Sequence, residues 1–195
     1  MNILIHCDGS LEIGMGHIVR CLALADHLHK NHSCNIQFAI RRSELGISKV
    51  KESYWVFESN EATFDYGNWL SDCIHQTCAE ILIIDTRDGL KRKELKQLKK
   101  NTGIKVVIID DPKDKRLEAD LAFYPPIPQL EKWNWDGFNG EIYAGWEYVI
   151  LRKEFSYAYP KPNNPIFNIL VSMGGTDELN MTMFVIDALS RINKL

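Results

Sequence analysis

The chain has 195 residues, of which 45% are hydrophobic and 25% charged, with 23 Lys+Arg against 26 Asp+Glu. This composition is not that of a disordered protein, and a formal net charge of −3 gives no electrostatic reason to expect nucleic-acid binding. No apolar run approaches the roughly 18–20 residues of a membrane span, and the N-terminus lacks the basic segment and cleavage site of a signal peptide. The five cysteines contain no CxxC pair. We therefore expect reduced thiols in a cytoplasmic α/β enzyme.

Short apolar runs alternate with amphipathic helical stretches, the pattern of repeated βα units around a parallel sheet. The predicted strands are 3–6, 35–40, 54–57, 80–84, 105–109 and 167–172, and the predicted helices are 17–30, 64–79, 90–101 and 178–193. The runs at 81–84 and 106–109 are continuous rather than alternating, which is typical of strands covered on both faces. The sequence thus predicts a Rossmann-like α/β domain with a parallel sheet.

A Pro- and Asn-rich stretch at 159–165 predicts a boundary between two domains. Residues 1–160 would form the first domain. Residues 161–195 would form the hinge and the first βα unit of a second Rossmann-like, nucleotide-binding domain. One βα unit cannot bury a core by itself. We therefore expect the 195 residues to be a fragment of a longer protein, with loss of the second domain as the alternative.

The loop between the first strand and the first helix carries the strongest functional pattern. It runs from Asp8 to His17 and contains Gly14 and Gly16. Open α/β sheets bind ligands at the carboxyl ends of their strands, and these glycines allow close approach of the backbone beside the free amide groups of the helix. The spacing matches neither the dinucleotide fingerprint nor a P-loop.

His17 is the candidate catalytic residue of this loop. A helix N-terminus disfavours the imidazolium, so we expect a neutral imidazole that can act as a general base on a water or hydroxyl nucleophile. The alternative is that His17 only caps the first turn of the helix.

Three other groups of residues are candidates for chemistry, namely Asp110 with Asp111, the set His6, Cys7, His17 and Cys21, and the aromatic residues Trp133, Trp135 and Phe138. The adjacent carboxylates suit acid/base or metal chemistry, but neighbours on an extended chain point in opposite directions, which favours a cap at the strand end. The same reasoning and the missing CxxC partner argue against a zinc site. The aromatic rings could stack on a sugar or base, or could simply pack.

Four ordered stretches give a specific resemblance. They are Gly14-x-Gly16-His17-x-x-Arg20-Cys21-Leu22-x-Leu24-Ala25, Ile109-Asp110-Asp111 with Ala119-Asp120, Gly145-x-x-Tyr148-x-x-Leu151-Arg152-x-Glu154-Phe155, and Ser172-Met173-Gly174-Gly175-Thr176-Asp177. Over nearly the whole chain, they resemble the UDP-2,4-diacetamido-2,4,6-trideoxy-altropyranose hydrolases of the pseudaminic acid pathway. These hydrolases are grouped with spore-coat polysaccharide biosynthesis proteins and are similar in fold to glycosyltransferase-B enzymes.

The resemblance implies a hydrolase that uses neither a metal nor an organic cofactor and releases UDP from C1 of an amino-deoxy sugar. His17 would activate water, and Asp8, Gly14 and Gly16 would lie around the sugar. Arg20 would hold His17 or an acidic partner, unless it forms an ordinary salt bridge. The loop of Gly174, Gly175 and Thr176 would direct its amide groups at the diphosphate of the UDP-sugar.

Two alternatives stay open at this point, and so does the oligomeric state. The first is a glycosyltransferase, in which an acceptor hydroxyl replaces water. The second is an inactive nucleotide-sugar-binding module. The exact sugar is also open, because His6 replaces an Arg that is common in the family and Asp85-Thr86-Arg87-Asp88 replaces a common Asp-x-Tyr.

Overall fold

A seven-stranded parallel sheet forms the centre of the protein. The computed structural model describes residues 1–10, 14–59, 65–87, 89–157, 169–173, 177 and 179–192. The strands are β1 (Asn2–Cys7), β2 (Asn35–Arg41), β3 (Trp55–Ser59), β4 (Ile81–Asp85), β5 (Lys105–Ile109), β6 (Leu121–Tyr124) and β7 (Glu141–Ala144). The α-helices are α1 (Gly16–His32), α2 (Glu44–Lys51), α3 (Tyr66–Thr77), α4 (Arg92–Thr102) and α5 (Met181–Ser190). Short 3-10 helices occupy Asp114–Glu118, Pro128–Lys132, Trp146–Tyr148 and Lys153–Ser156.

Two hydrophobic clusters cover the two faces of the sheet. Side chains alternate along a strand, so Ile3, Ile5 and Cys7 of β1 join the cluster that includes α1 and α2, while Leu4 joins the cluster that includes α3 and α4. The buried runs of β4 and β5 are therefore sandwiched between layers, as predicted. The Rossmann-like α/β fold is confirmed.

The order of the strands places a crevice beside β1. The sheet runs β3-β2-β1-β4-β5-β6-β7, so the chain moves outward from β1 to β3 and then returns to the other side of β1 with β4. In open α/β sheets, such a reversal leaves room for a ligand at the carboxyl ends of the two central strands. The register pairs Cys7 with Asp85, which brings the residues that follow β1 next to the end of β4.

The elements missed by the sequence are short. Helix α2 has eight residues and is capped by Ser43, whose side chain accepts a hydrogen bond from the Gly46 amide. Strands β6 and β7 have four residues each and were not predicted. Strands and helices of this length contain too few residues for a repeated hydrophobic pattern to be recognised in the sequence. Their conformation is decided by tertiary pairing.

The predicted strand at 167–172 is wrong over its described part. Residues 169–172 are not in a strand, and Ile169 and Leu170 are 50% and 92% exposed. A strand needs a neighbour for its backbone hydrogen bonds, and none lies beside these residues within the described part of the chain. The predicted hinge at 159–165 lies outside the described residues, so the second domain stays a prediction.

All five cysteines are free thiols in the structure. Among the described residues, no helix combines the length and the apolar character needed to cross a membrane.

Candidate active site

Polar side chains from three neighbouring strands meet α1 at the carboxyl edge of the sheet. Asp8 follows β1, Asp85 is the last residue of β4, and Asp110 follows β5. His17 and Arg20 extend from the first turns of α1, and their i, i+3 spacing places both on the same side of the helix.

His17 is held by the carboxylate of Asp85. The imidazole Nδ1 lies 2.5 Å from Asp85 Oδ1. Because an ionised carboxylate can only accept, this contact places the ring proton on Nδ1 and leaves the lone pair on Nε2. Nε2 has no hydrogen-bond partner among the described residues, and the His17 side chain is 14% exposed while that of Asp85 is fully buried. The His17 imidazole is thus oriented through Nδ1, while Nε2 has no hydrogen-bond partner among the described residues.

Arg20 keeps Asp85 charged. Its Nε lies 2.5 Å from Asp85 Oδ2 and its Nη2 lies 2.6 Å from Asp85 Oδ1, which is a bidentate pair. Burial alone would raise the pKa of Asp85, but the hydrogen bonds from Arg20 and His17 outweigh it, and the pKa of Asp85 is below its ordinary value. Burial opposes the charge on Arg20 too, yet the contact with Asp85 raises the pKa of Arg20 above its usual value. Both groups are therefore charged at neutral pH.

Asp8 anchors the segment that follows β4. Its Oδ2 accepts hydrogen bonds from Thr86 Oγ1 at 2.7 Å and from the Arg87 amide at 3.0 Å. Lys115, which is fully buried, donates to the Thr86 carbonyl oxygen at 3.2 Å and pairs with Asp111 Oδ2 at 2.8 Å. The chain after Asp85 is therefore fixed from both neighbouring strands.

The carboxylates of Asp110 and Asp111 have different partners, but the extended backbone expected from the sequence is wrong at Asp110. The Asp110 backbone is left-handed, with φ +52°, and its carboxylate lies 3.4 Å from both Arg20 Nη1 and Arg87 Nη2. Asp111 instead pairs with Lys115 in the interior. A left-handed backbone is uncommon for a residue other than glycine, so the turn after β5 is shaped to present Asp110 to the two guanidinium groups.

The structure brings together most of the predicted site residues that it describes. Asp8, His17 and Arg20 share the edge, Gly14 has φ +78° in the loop between β1 and α1, and Gly16 begins α1. Gly14 accepts a hydrogen bond from the Ser10 amide, and its left-handed backbone favours glycine there. Gly174, Gly175 and Thr176 lie outside the described residues.

The sequence predicted that Asp85, Thr86 and Arg87 lie in a ligand-facing loop, but it did not predict that Asp85 contacts His17 and Arg20. These residues follow the continuous apolar run 81–84, and polar residues directly after a buried parallel strand are a signal for a ligand-facing edge. That β4 lies next to β1 is a property of the strand order, which the local pattern does not give.

Of the alternative candidates, Asp110 belongs to the site and Cys21 contacts it through Asp85 Oδ2 at 3.5 Å, whereas His6 and the aromatic residues have other partners. His6 is buried, with its Nδ1 2.7 Å from the Ala39 carbonyl oxygen and its Nε2 2.5 Å from the Tyr66 hydroxyl. Within the described ranges, no three His, Cys, Asp or Glu side chains converge as they would around a metal ion. Trp133 and Trp135 pack on the Arg116 guanidinium at 5.1 and 4.8 Å, which favours the packing interpretation of the aromatic loop.

The fold and the site define a class. A Rossmann-like parallel sheet carries a His–Asp–Arg array at the point where its strand order reverses. The chain is similar in fold to MurG of Acinetobacter baumannii, with a TM-score of 0.52 and 10% identity over 73% of this chain and 44% of that one. This likeness concerns the fold alone, and it agrees with the predicted resemblance to glycosyltransferase-B proteins.

No family model matches the chain. Curated proteins with similar sequences indicate more closely which proteins it resembles. A Campylobacter jejuni protein named UDP-2,4-diacetamido-2,4,6-trideoxy-beta-L-altropyranose hydrolase is 29% identical over 98% of this chain and 66% of its own length. The spore coat polysaccharide biosynthesis protein SpsG of Bacillus subtilis is 26% identical over 98% of this chain and 56% of its own length. An uncharacterized protein of Methanocaldococcus jannaschii is 30% identical over 97% of this chain and 40% of its own length. The predicted resemblance is confirmed, and the chain spans 40% to 66% of these relatives.

Proposed function

We propose that this protein acts on a nucleotide sugar and hydrolyses a UDP-amino-deoxy-sugar at C1, releasing UDP, in the biosynthesis of a bacterial surface polysaccharide or nonulosonic acid. The observation that carries the proposal is the His17 imidazole, whose Nδ1 is held by Asp85 and whose Nε2 has no partner among the described residues. The names of two relatives, a nucleotide-sugar hydrolase and a polysaccharide biosynthesis protein, support the substrate class. A cytoplasmic location belongs to the same proposal.

His17 acts as the general base in this proposal. Nε2 takes a proton from a water molecule as the water oxygen attacks C1. The bond between C1 and the diphosphate oxygen breaks, and its electron pair leaves with UDP, so that the configuration at C1 is inverted. The imidazolium that forms is stabilised by the carboxylate of Asp85 at 2.5 Å.

Arg20 acts as a positioning residue. Its bidentate contact fixes both oxygens of Asp85, so the carboxylate cannot rotate away from His17. The longer contact of Arg20 with Asp110 fixes the guanidinium itself. The role of Arg20 is therefore to keep Asp85 charged and correctly oriented, without contact with the reacting atoms.

The remaining predicted roles belong to binding. Asp8, Gly14 and Gly16 lie on the sugar side of the crevice in this proposal. The amide groups of Gly174, Gly175 and Thr176 would stabilise the negative charge that develops on the departing UDP. Neither a metal ion nor an organic cofactor takes part.

The proposal is tested by measuring UDP release from a panel of UDP-amino-sugars, with and without a sugar acceptor. The full-length gene product and the 195-residue chain are compared, because this chain spans only part of its relatives. Release without an acceptor supports the hydrolase. Release only with an acceptor indicates the glycosyltransferase, and binding without release indicates the inactive module. We expect the shorter chain to be much less active than the full-length product.

A further inference from the structure

Two buried polar atoms at the carboxyl edge of the sheet lack partners. They are Asp8 Oδ1 and Arg87 Nη1, neither of which has a hydrogen-bond partner among the described residues. Asp8 is only 9% exposed. A buried charged group without a partner is costly, so such atoms indicate a ligand that supplies the missing hydrogen bonds.

The two atoms belong to one connected unit. The Arg87 amide donates to Asp8 Oδ2, which also accepts from Thr86 Oγ1, so Oδ1 is the oxygen of Asp8 that remains for a ligand. Among the described residues, the hydrogen-bond contact of the Arg87 guanidinium is from Nη2 to Asp110 Oδ2, at 3.4 Å. Its side chain is 38% exposed, so it lies between the interior and the crevice.

The charges around this unit favour a neutral ligand group. The Arg20 guanidinium contacts the carboxylates of Asp85 and Asp110, and the Arg87 guanidinium contacts that of Asp110. The Asp8 carboxylate is bonded by the backbone amide of Arg87 and by the Thr86 hydroxyl. The Lys113 ammonium, which bonds the Arg87 carbonyl oxygen, is exposed to solvent, and Lys115 is paired with Asp111. Among the described side chains of this unit, the two guanidinium groups are outnumbered by the three carboxylates, so the unit does not favour another carboxylate or phosphate.

We propose that Asp8 and Arg87 together recognise an N-acyl amide on the sugar, which makes Arg87 a specificity-determining residue. Asp8 Oδ1 accepts the amide N–H, and Arg87 Nη1 donates to the amide carbonyl oxygen. One group thereby satisfies both buried atoms. This inference rests on the proposed function, which supplies an amino-sugar as the ligand, and it assigns the recognition to a residue, Arg87, that stands where the resembling family commonly has Tyr.

The test compares binding of UDP-2,4-diacetamido-2,4,6-trideoxy-altropyranose with binding of its two analogues, in which one acetamido group is replaced by hydroxyl. Dissociation constants are measured by calorimetry on the full-length gene product and on its Arg87→Met and Asp8→Asn variants. Arg92→Met is the matched control, because Arg92, the first residue of α4, is 34% exposed and its Nε pairs with Glu118, which is not one of the site residues. UDP release is measured on the same samples.

We expect the wild type and the control to bind the diacetamido sugar about 10–100-fold more tightly than one of the analogues, and Arg87→Met and Asp8→Asn to lose most of that ratio. An unchanged ratio in Arg87→Met overturns the inference, and so does a wild type that binds all three sugars equally or none of them. UDP release without discrimination contradicts the inference while leaving the hydrolase intact. Discrimination without UDP release contradicts the hydrolase while leaving the inference intact.

Discussion

Replacement of Asp85 by Asn is the most informative test of the His–Asp–Arg array. The carboxylate is fully buried and accepts from His17 Nδ1 and, twice, from Arg20, at 2.5 to 2.6 Å. An amide in its place has one acceptor oxygen for these donors and no charge to stabilise the imidazolium. Since proton transfer by a positioned base contributes about 10²–10⁴-fold, we expect the turnover number to fall by a factor in that range.

The same replacement has a cost in stability. Hydrogen bonds to charged groups contribute about 1.5–3 kcal/mol, but Arg20 is 24% exposed and keeps its contact with Asp110. We therefore expect the free energy of unfolding to fall by roughly 1–3 kcal/mol, which leaves the protein folded at 25 °C.

The stability of the variant should also respond differently to acid. Because folding lowers the pKa of Asp85, its charged form stabilises the fold above the unfolded pKa of about 3.9, and this contribution is lost as the pH falls through the folded pKa. Asp85→Asn has no carboxylate to protonate at this position. Below about pH 4, its free energy of unfolding should therefore depend less on pH than that of the wild type.

Asp120→Asn is the matched control for Asp85→Asn. Asp120 also has a lowered pKa, because the hydrogen bonds from Lys99 and the Val106 amide outweigh its burial. It precedes β6, at the edge of the sheet opposite the crevice. The assay is UDP release under saturating substrate beside urea unfolding from pH 3 to pH 8. Turnover within a few-fold of wild type in folded Asp85→Asn, or an equal loss of turnover in Asp120→Asn, would exclude the role given to Asp85.

Three further predictions concern the base, the absence of a metal and the buried ion pair. His17→Asn retains the fold by circular dichroism and loses turnover by about 10²–10⁴-fold, and activity within a few-fold of wild type would exclude His17 as the base. EDTA leaves UDP release unchanged, whereas abolition by EDTA with rescue by zinc would contradict a metal-independent reaction. Lys115→Met lowers the free energy of unfolding by about 3–5 kcal/mol, because it leaves the Asp111 carboxylate buried without its ion pair. Urea unfolding measures this change, and a loss below about 1 kcal/mol would contradict a buried Lys115–Asp111 pair.

The sequence predicted the central part of the fold well, for a physical reason. β4 and β5 are continuous apolar runs, and α1 has a clear apolar face, so each is specified by its own residues. The strand at 167–172 also has an apolar pattern, but a strand is stable only beside a partner, and the described residues provide none. Local pattern predicts the capacity to form a strand, and pairing decides whether the strand forms.

Only part of the candidate site could be predicted from the sequence, for a similar reason. Asp8, His17 and Arg20 belong to one continuous loop and helix, so their proximity follows from the sequence. Asp85 lies 68 residues from His17, and it reaches the imidazole only because β4 pairs with β1. A strand order is a long-range property, so the residue that orients the proposed base had to come from the structure.

In the proposed reaction, His17 directs water to C1 of a UDP-sugar. The most direct test of this step is hydrolysis of a UDP-amino-sugar by the full-length gene product in ¹⁸O-labelled water, without an acceptor, followed by mass spectrometry of both products. Attack at C1 predicts that the label enters the sugar and is absent from UDP. Label in UDP, or no UDP release unless an acceptor is added, would contradict the claim.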